Sequence, residues 1–165
     1  MTTRRVLLGA LPALALASRA HALPPARIAF PRDHGAHPAY RTEWWYMTGR
    51  LLAGEREFGF QVTFFRSRVD ATQDMRSRFA ARQLLFAHAA ITDVQGHKLW
   101  HDQRIAREGF DVAAAAQDDL RLRLRDWSFA RSPEGEYVAH VTAGDFSFEL
   151  RCAPTQDVLL QGDGG

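Results

Sequence analysis

The chain is built of short segments in which apolar residues recur at every second position, each closed by a turn. No other feature constrains the fold so much. Side chains alternate across a strand but recur every three or four residues along a helix, so a period of two has no helical face to bury. Thr42–Leu52 opens the series and Gly54 marks its turn. In Glu57–Ser67, Phe58, Phe60, Val62 and Phe64 share one face, and Gly59, Gln61, Thr63 and Phe65 the other. "DATQDMRSRFAARQ" breaks the period and predicts a loop with a helical turn or two. Leu84–Thr92 is apolar on both faces, as a central strand is, and "DVQGHK" predicts a tight turn into Leu99–Ala106.

After "GFDVAAAA", the segment "DLRLRLRDWSFAR" puts Leu120, Leu122 and Leu124 on one parity and Trp127 and Phe129 on the other. The phase slip near Arg125–Asp126 predicts a bulge or bend. "EYVAHVT" and "FSFELRC" form a final hairpin around "AGD", with Phe146, Phe148, Leu150 and Cys152 facing one way. Successive strands joined by hairpins, with no long amphipathic helix, predict an all-β antiparallel sandwich or up-and-down barrel. A barrel of about eight strands holds its own side chains or one small ligand.

Residues 1–22 stand apart. Arg4 and Arg5 precede an apolar stretch from Val6 to Ala17, and "AHA" ends at Ala22. This reads as an export signal of the twin-arginine type, too short to span a membrane, and it predicts a periplasmic or secreted protein. The signal holds three of the 21 Lys and Arg residues and none of the 19 acids, so the rest of the chain carries a net charge of −1. No basic excess is left for a nucleic-acid partner. Cys152 is the only cysteine, so no intrachain disulfide forms. Residues 23–41, with four prolines, predict an irregular lead-in; 42–160 form the strand-rich domain; 161–165, "QGDGG", read as the start of a continuation.

Three places carry candidate chemistry. In "TEWWYM", Trp44 and Tyr46 share one strand face, and Trp45 and Met47 the other. One face meets the core; the other meets a second layer, a ligand or another domain. Glu43, desolvated beside indoles, could hold and donate a proton, or it could pair with Arg41, Arg50 or Arg66. "RDHGAHP" brings Asp33, His34 and His37 together, either as a metal set or as a hydrogen-bonded cover over one barrel end. His88, among apolar neighbours, is either a satisfied core histidine or a polar group inside a cavity, with Gln61 and Arg66 able to converge on it. No G-x-S-x-G or C-x-x-C signature occurs, no cofactor is expected, and of the two readings of "RDHGAHP" the hydrogen-bonded cover is preferred to the metal set.

"FPRDHGAHPAYRTEWWYMTGRL", "FGFQVTFFR", "HAAITD", "DWSF" and "LLQGDGG", in this order, resemble the lipocalin-like family of secreted bacterial AttH-type proteins. Its members are often described as predicted secreted hydrolases and are related to carotenoid 1,2-hydratase (hydroxyneurosporene synthase). The resemblance implies a lipocalin-like (calycin) barrel, the first of two in tandem, with a second, C-terminal barrel packed against it. It also implies a cavity for an apolar lipid or isoprenoid, and leaves room for peripheral membrane contact. In a hydratase, water adds across an isoprenoid double bond. That reaction needs a proton donor, an aromatic wall for the cation and a placed water. Glu43, His88 and Asp33 are then the catalytic candidates. Trp44, Trp45, Tyr46, Gln61, Phe65 and Arg66 are the candidates for binding. The alternatives are a non-catalytic lipid carrier, or the structural half of a two-barrel protein.

Overall fold

A computed structural model describes residues 27–161. The export signal at 1–22 lies outside these residues, as do residues 162–165 of the expected continuation. Nine strands follow one another: β1 (Thr42–Ala53), β2 (Arg56–Arg68), β3 (Gln83–Asp93), β4 (Lys98–Arg107), β5 (Ala113–Ala115), β6 (Arg121–Leu124), β7 (Trp127–Arg131), β8 (Tyr137–Thr142) and β9 (Ser147–Cys152). The period-two segments thus become strands close to their expected bounds. The loop after β2 carries a single 3₁₀ turn, Asp70–Thr72.

The strands lie in two antiparallel meanders, β1-β2-β3-β4 and β5-β6-β7-β8-β9. The all-β antiparallel class is as expected, and closure into one barrel of about eight strands is not seen. Among the described residues no ladder joins the two sheets. The break after β4 has a local cause. Gly109, Phe110 and Asp111 all adopt left-handed φ angles of 105°, 57° and 55°. The chain there folds on itself, with Gly109 bridging to Ala113, instead of continuing the ladder.

Turn chemistry explains the hairpins. Gly54, at φ 64°, takes the first central position between paired Ala53 and Arg56, where a two-residue hairpin needs a left-handed residue. The phase slip at Arg125–Asp126 is a hairpin of the same length and not a bulge. Leu124 pairs with Trp127, and Arg125 sits at φ 58°.

The core lies between the sheets. Val62 and Phe64 of β2 and Leu85, Ala87 and Ala89 of β3 meet Leu122, Leu124, Trp127, Phe129 and Val141 from the second sheet. Phe64 and Phe129 lie 6.4 Å apart across the interface. Trp127 is fully buried and donates its indole N–H to the Thr142 carbonyl at 2.7 Å, so its polar edge is satisfied within an apolar layer.

Candidate functional site

The lead-in is fastened to one end of the molecule by Arg66, which is only 1% exposed. Its Nε donates to Glu43 Oε2 at 2.6 Å, and its Nη2 donates to the carbonyls of His37 and Tyr40 at 3.0 and 2.8 Å. Nη1 donates to Gln83, whose amide in turn donates to the Pro38 carbonyl at 3.2 Å. Glu43 also accepts the His37 backbone N–H at 2.9 Å, and its Oε1 lies 2.6 Å from His37 Nδ1. The other nitrogen of that ring lies 3.0 Å from Asp33 Oδ1. The resulting chain, Asp33–His37–Glu43–Arg66–Gln83, satisfies every one of its buried charges locally, as such groups require. Asp33 is held below the usual carboxylate range, first by the Ala29 backbone N–H and then by His37.

Gly35 lets this lead-in pass close to the second sheet. A Cβ there would lie 2.7 Å from the Gln117 carbonyl carbon, and the next residue, Ala36, donates its N–H to the Ala116 carbonyl at 2.7 Å. Only glycine fits that approach. The same passage separates the two histidines of "DHGAH". His37 joins the Arg66 cluster, while His34 turns to the opposite side, stacking on Phe30 at 4.3 Å and meeting Tyr137 edge-on at 6.0 Å.

His34 lines a cleft of about 380 Å³ beside the edge of β1 that, among the described residues, pairs with no other strand. Trp45 and Met47 form one wall, and Leu120, just before β6, with Phe129 and Tyr137 of the second sheet, forms the other. Trp45 is fixed by its indole N–H, which donates to the His34 carbonyl at 2.9 Å. Burial pushes the His34 imidazole below its ordinary value, and the nearby Arg131 adds to this, so the ring is neutral at pH 7. Size and lining suit a small-molecule site: apolar walls with a few polar groups.

The outer face of the first sheet forms a third region. Register aligns Trp44, Phe65, Phe86 and Ile105 in one row across all four strands, and Tyr46, Thr63, His88 and Gln103 in the next. Phe65 stacks on Phe86 at 5.4 Å and packs on His88 at 5.1 Å. Trp44, Tyr46 and Ile105 remain 60%, 62% and 61% exposed. Isolated apolar side chains on a surface are ordinary, but a continuous apolar row, three of its four members aromatic, is not.

The candidates from the sequence are therefore divided among three places. Trp45 lines the cleft, and Trp44 and Tyr46 lie on the outer face at its rim. Gln61, Phe65 and His88 are on the outer face. Glu43, Arg66 and Asp33 belong to the fastening of the lead-in. His88 is not a core residue; it lies on the outer face, where it lines surface pockets with Gln61 and Gln103 and with Phe86 and Ile105. The inward set on β3 is Gln83, Leu85, Ala87 and Ala89, so residue 88 points out. Arg66 and His88 lie on opposite faces of the first sheet and do not converge; Gln61 and His88 share the outer one. Among the described residues, no three His, Cys, Asp or Glu side chains are grouped to hold a metal ion. The sequence did not single out Leu120 and Tyr137 as cleft residues. They come from segments more than 70 residues beyond Trp45, and only the packing of the two sheets brings them there.

Fold and cleft together define an all-β protein of two antiparallel sheets with an apolar pocket at an open sheet edge. The chain belongs to the AttH-like family, whose model matches residues 21–165. It is similar to a crystal structure of a Nitrosomonas europaea protein assigned as an AttH, with a TM-score of 0.75 and 40% sequence identity. The match covers 87% of this chain and 42% of that one, so the chain spans less than half the length of this relative. No curated protein matches it.

Proposed function

We propose that this chain is the ligand-binding part of an exported protein that holds an apolar lipid or isoprenoid between its two sheets. The observation that carries the proposal is the cleft, walled by Trp45, Met47, Leu120 and Phe129. Its volume falls in the range of about 300–1,000 Å³ usual for small-molecule sites. Carriage is favoured over catalysis by this chain alone. Hydration of an alkene needs an acid in the cleft, yet both Glu43 oxygens already accept hydrogen bonds, Asp33 is held ionised, and His88 lies on the outer face. Hydratase or hydrolase chemistry is the second proposal, for a longer protein that adds a proton donor to this cleft.

The uncovered aromatic row supports a further part of the proposal: a second domain, of the kind the length of the Nitrosomonas relative leaves room for, seats on Trp44, Phe65, Phe86 and Ile105. The ligand proposal is tested by titrating squalene, in detergent-free dispersion, into wild type and Met47→Lys. A charge in the apolar wall is expected to weaken binding at least tenfold, because a buried ammonium without a partner is costly. Equal affinity in the two proteins would place the ligand elsewhere.

A further inference from the structure

The proposed apolar ligand has a chemistry at one end that the cleft itself defines. We propose that the cleft takes an isoprenoid or fatty chain ending in an uncharged hydrogen-bonding head, an alcohol above all, seated between His34 and Tyr137. This rests on the apolar-ligand proposal and deepens it.

Two observations carry the inference. The first concerns hydrogen bonds. His34 and Tyr137, a ring with two nitrogens and a phenol, line a cleft whose inward side chains are otherwise Trp45, Met47, Leu120 and Phe129; Trp44 and Tyr46, which also border it, turn their side chains to the outer face. The Trp45 N–H is already committed to the His34 carbonyl. Among the described residues, neither the His34 ring nor the Tyr137 hydroxyl has a hydrogen-bond partner. A neutral imidazole offers one donor and one acceptor, and a phenol offers both. Together they match an alcohol, which also donates once and accepts. A pure hydrocarbon would displace water from both groups and return nothing, a loss of the order of tenfold in affinity for each hydrogen bond left unmade.

The second observation concerns charge. The charged groups around His34 are Arg131, Asp119 and Asp33. Arg131 is paired with Asp119 at 3.0 Å, and Asp33 with His37 at 3.0 Å. The imidazole itself is neutral at pH 7, held so by burial and by Arg131. Among the described residues, no free cation is left beside His34 to receive a carboxylate, and no free anion to receive an amine. A charged head would lose its water without gaining a counter-ion.

A matched set of ligands on one isoprenoid chain tests this: farnesene, farnesol and farnesoic acid at pH 7.5, with affinities from calorimetry. Farnesol is expected to bind about tenfold or more tighter than the other two. Tyr137→Phe, which removes only the hydroxyl, is expected to erase most of that margin and leave farnesene unchanged, with circular dichroism showing an intact fold. His34→Phe, which keeps the stack on Phe30, is expected to act the same way. Equal binding of farnesene and farnesol would overturn the proposed head group and leave the apolar cleft standing. Tightest binding of farnesoic acid would overturn it in favour of a carboxylate site. Binding of none of the three would overturn the apolar-ligand proposal, and this one with it.

Discussion

Arg66 shows how one side chain can organise a region. Buried and donating to Glu43, Gln83 and two backbone carbonyls, it ties the lead-in to β1, β2 and β3 at once. Arg66→Ala leaves the Glu43 carboxylate without its cation and is expected to cost about 3–5 kcal/mol, read from urea unfolding. Adding Glu43→Ala is expected to cost less than the sum of the two single changes, since the pair fails as a unit. His34 makes a pH-dependent contribution. Its value in the folded chain lies below the ordinary 6.5, so folding favours the neutral ring. The associated stability is complete above 6.5 and is lost as pH falls through the lower, folded value. The wild type is therefore expected to lose more stability on that limb than His34→Gln, as seen in urea midpoints measured across it. At this scale the sequence was ambiguous for a physical reason. Glu43 and Arg66 were visible as one option for a pair. His88, however, lies in a strand apolar on both faces, where parity alone does not say which face turns inward.

Among the elements, strands and turns were largely legible, because period-two patterning and turn residues are local signals. β1 to β4 begin and end within a few residues of the apolar segments that specify them. The slip at Arg125–Asp126 was visible too, but a reversal of the chain flips parity just as a bulge does, and only the Leu124–Trp127 pairing separates them. The lead-in was legible as irregular and as a cover. The direction each histidine takes was not, since it depends on Gly35 passing the Ala116–Gln117 backbone. Gly35→Ala is expected to destabilise the chain by about 1–3 kcal/mol, as overpacking does. It is also expected to raise hydrogen exchange at Ala36, whose N–H bond to Ala116 the added methyl group strains. Protection equal to wild type would mean that the lead-in has room to shift.

For the whole molecule, the all-β antiparallel class followed from the sequence, but closure of the sheets did not. Whether β4 continues into β5 depends on left-handed backbone at Gly109–Asp111, of which only the glycine is a sequence signal. The open edge of β1 leaves two unlike apolar surfaces on opposite sides of one sheet: the inner cleft and the outer aromatic row. The outer row is expected to make the 165-residue chain associate when it is produced alone. Ile105→Lys, at the β4 end of that row, is expected to shift it toward the monomer in sedimentation. The inner cleft carries the functional claim, and Trp44 and Trp45, adjacent in sequence but on opposite faces, provide a built-in test. The measurement is quenching of tryptophan fluorescence by an apolar polyene in Trp44→Phe and in Trp45→Phe. A ligand in the cleft predicts that quenching persists in Trp44→Phe and largely disappears in Trp45→Phe. The reverse pattern, or no quenching in the wild type, would contradict it.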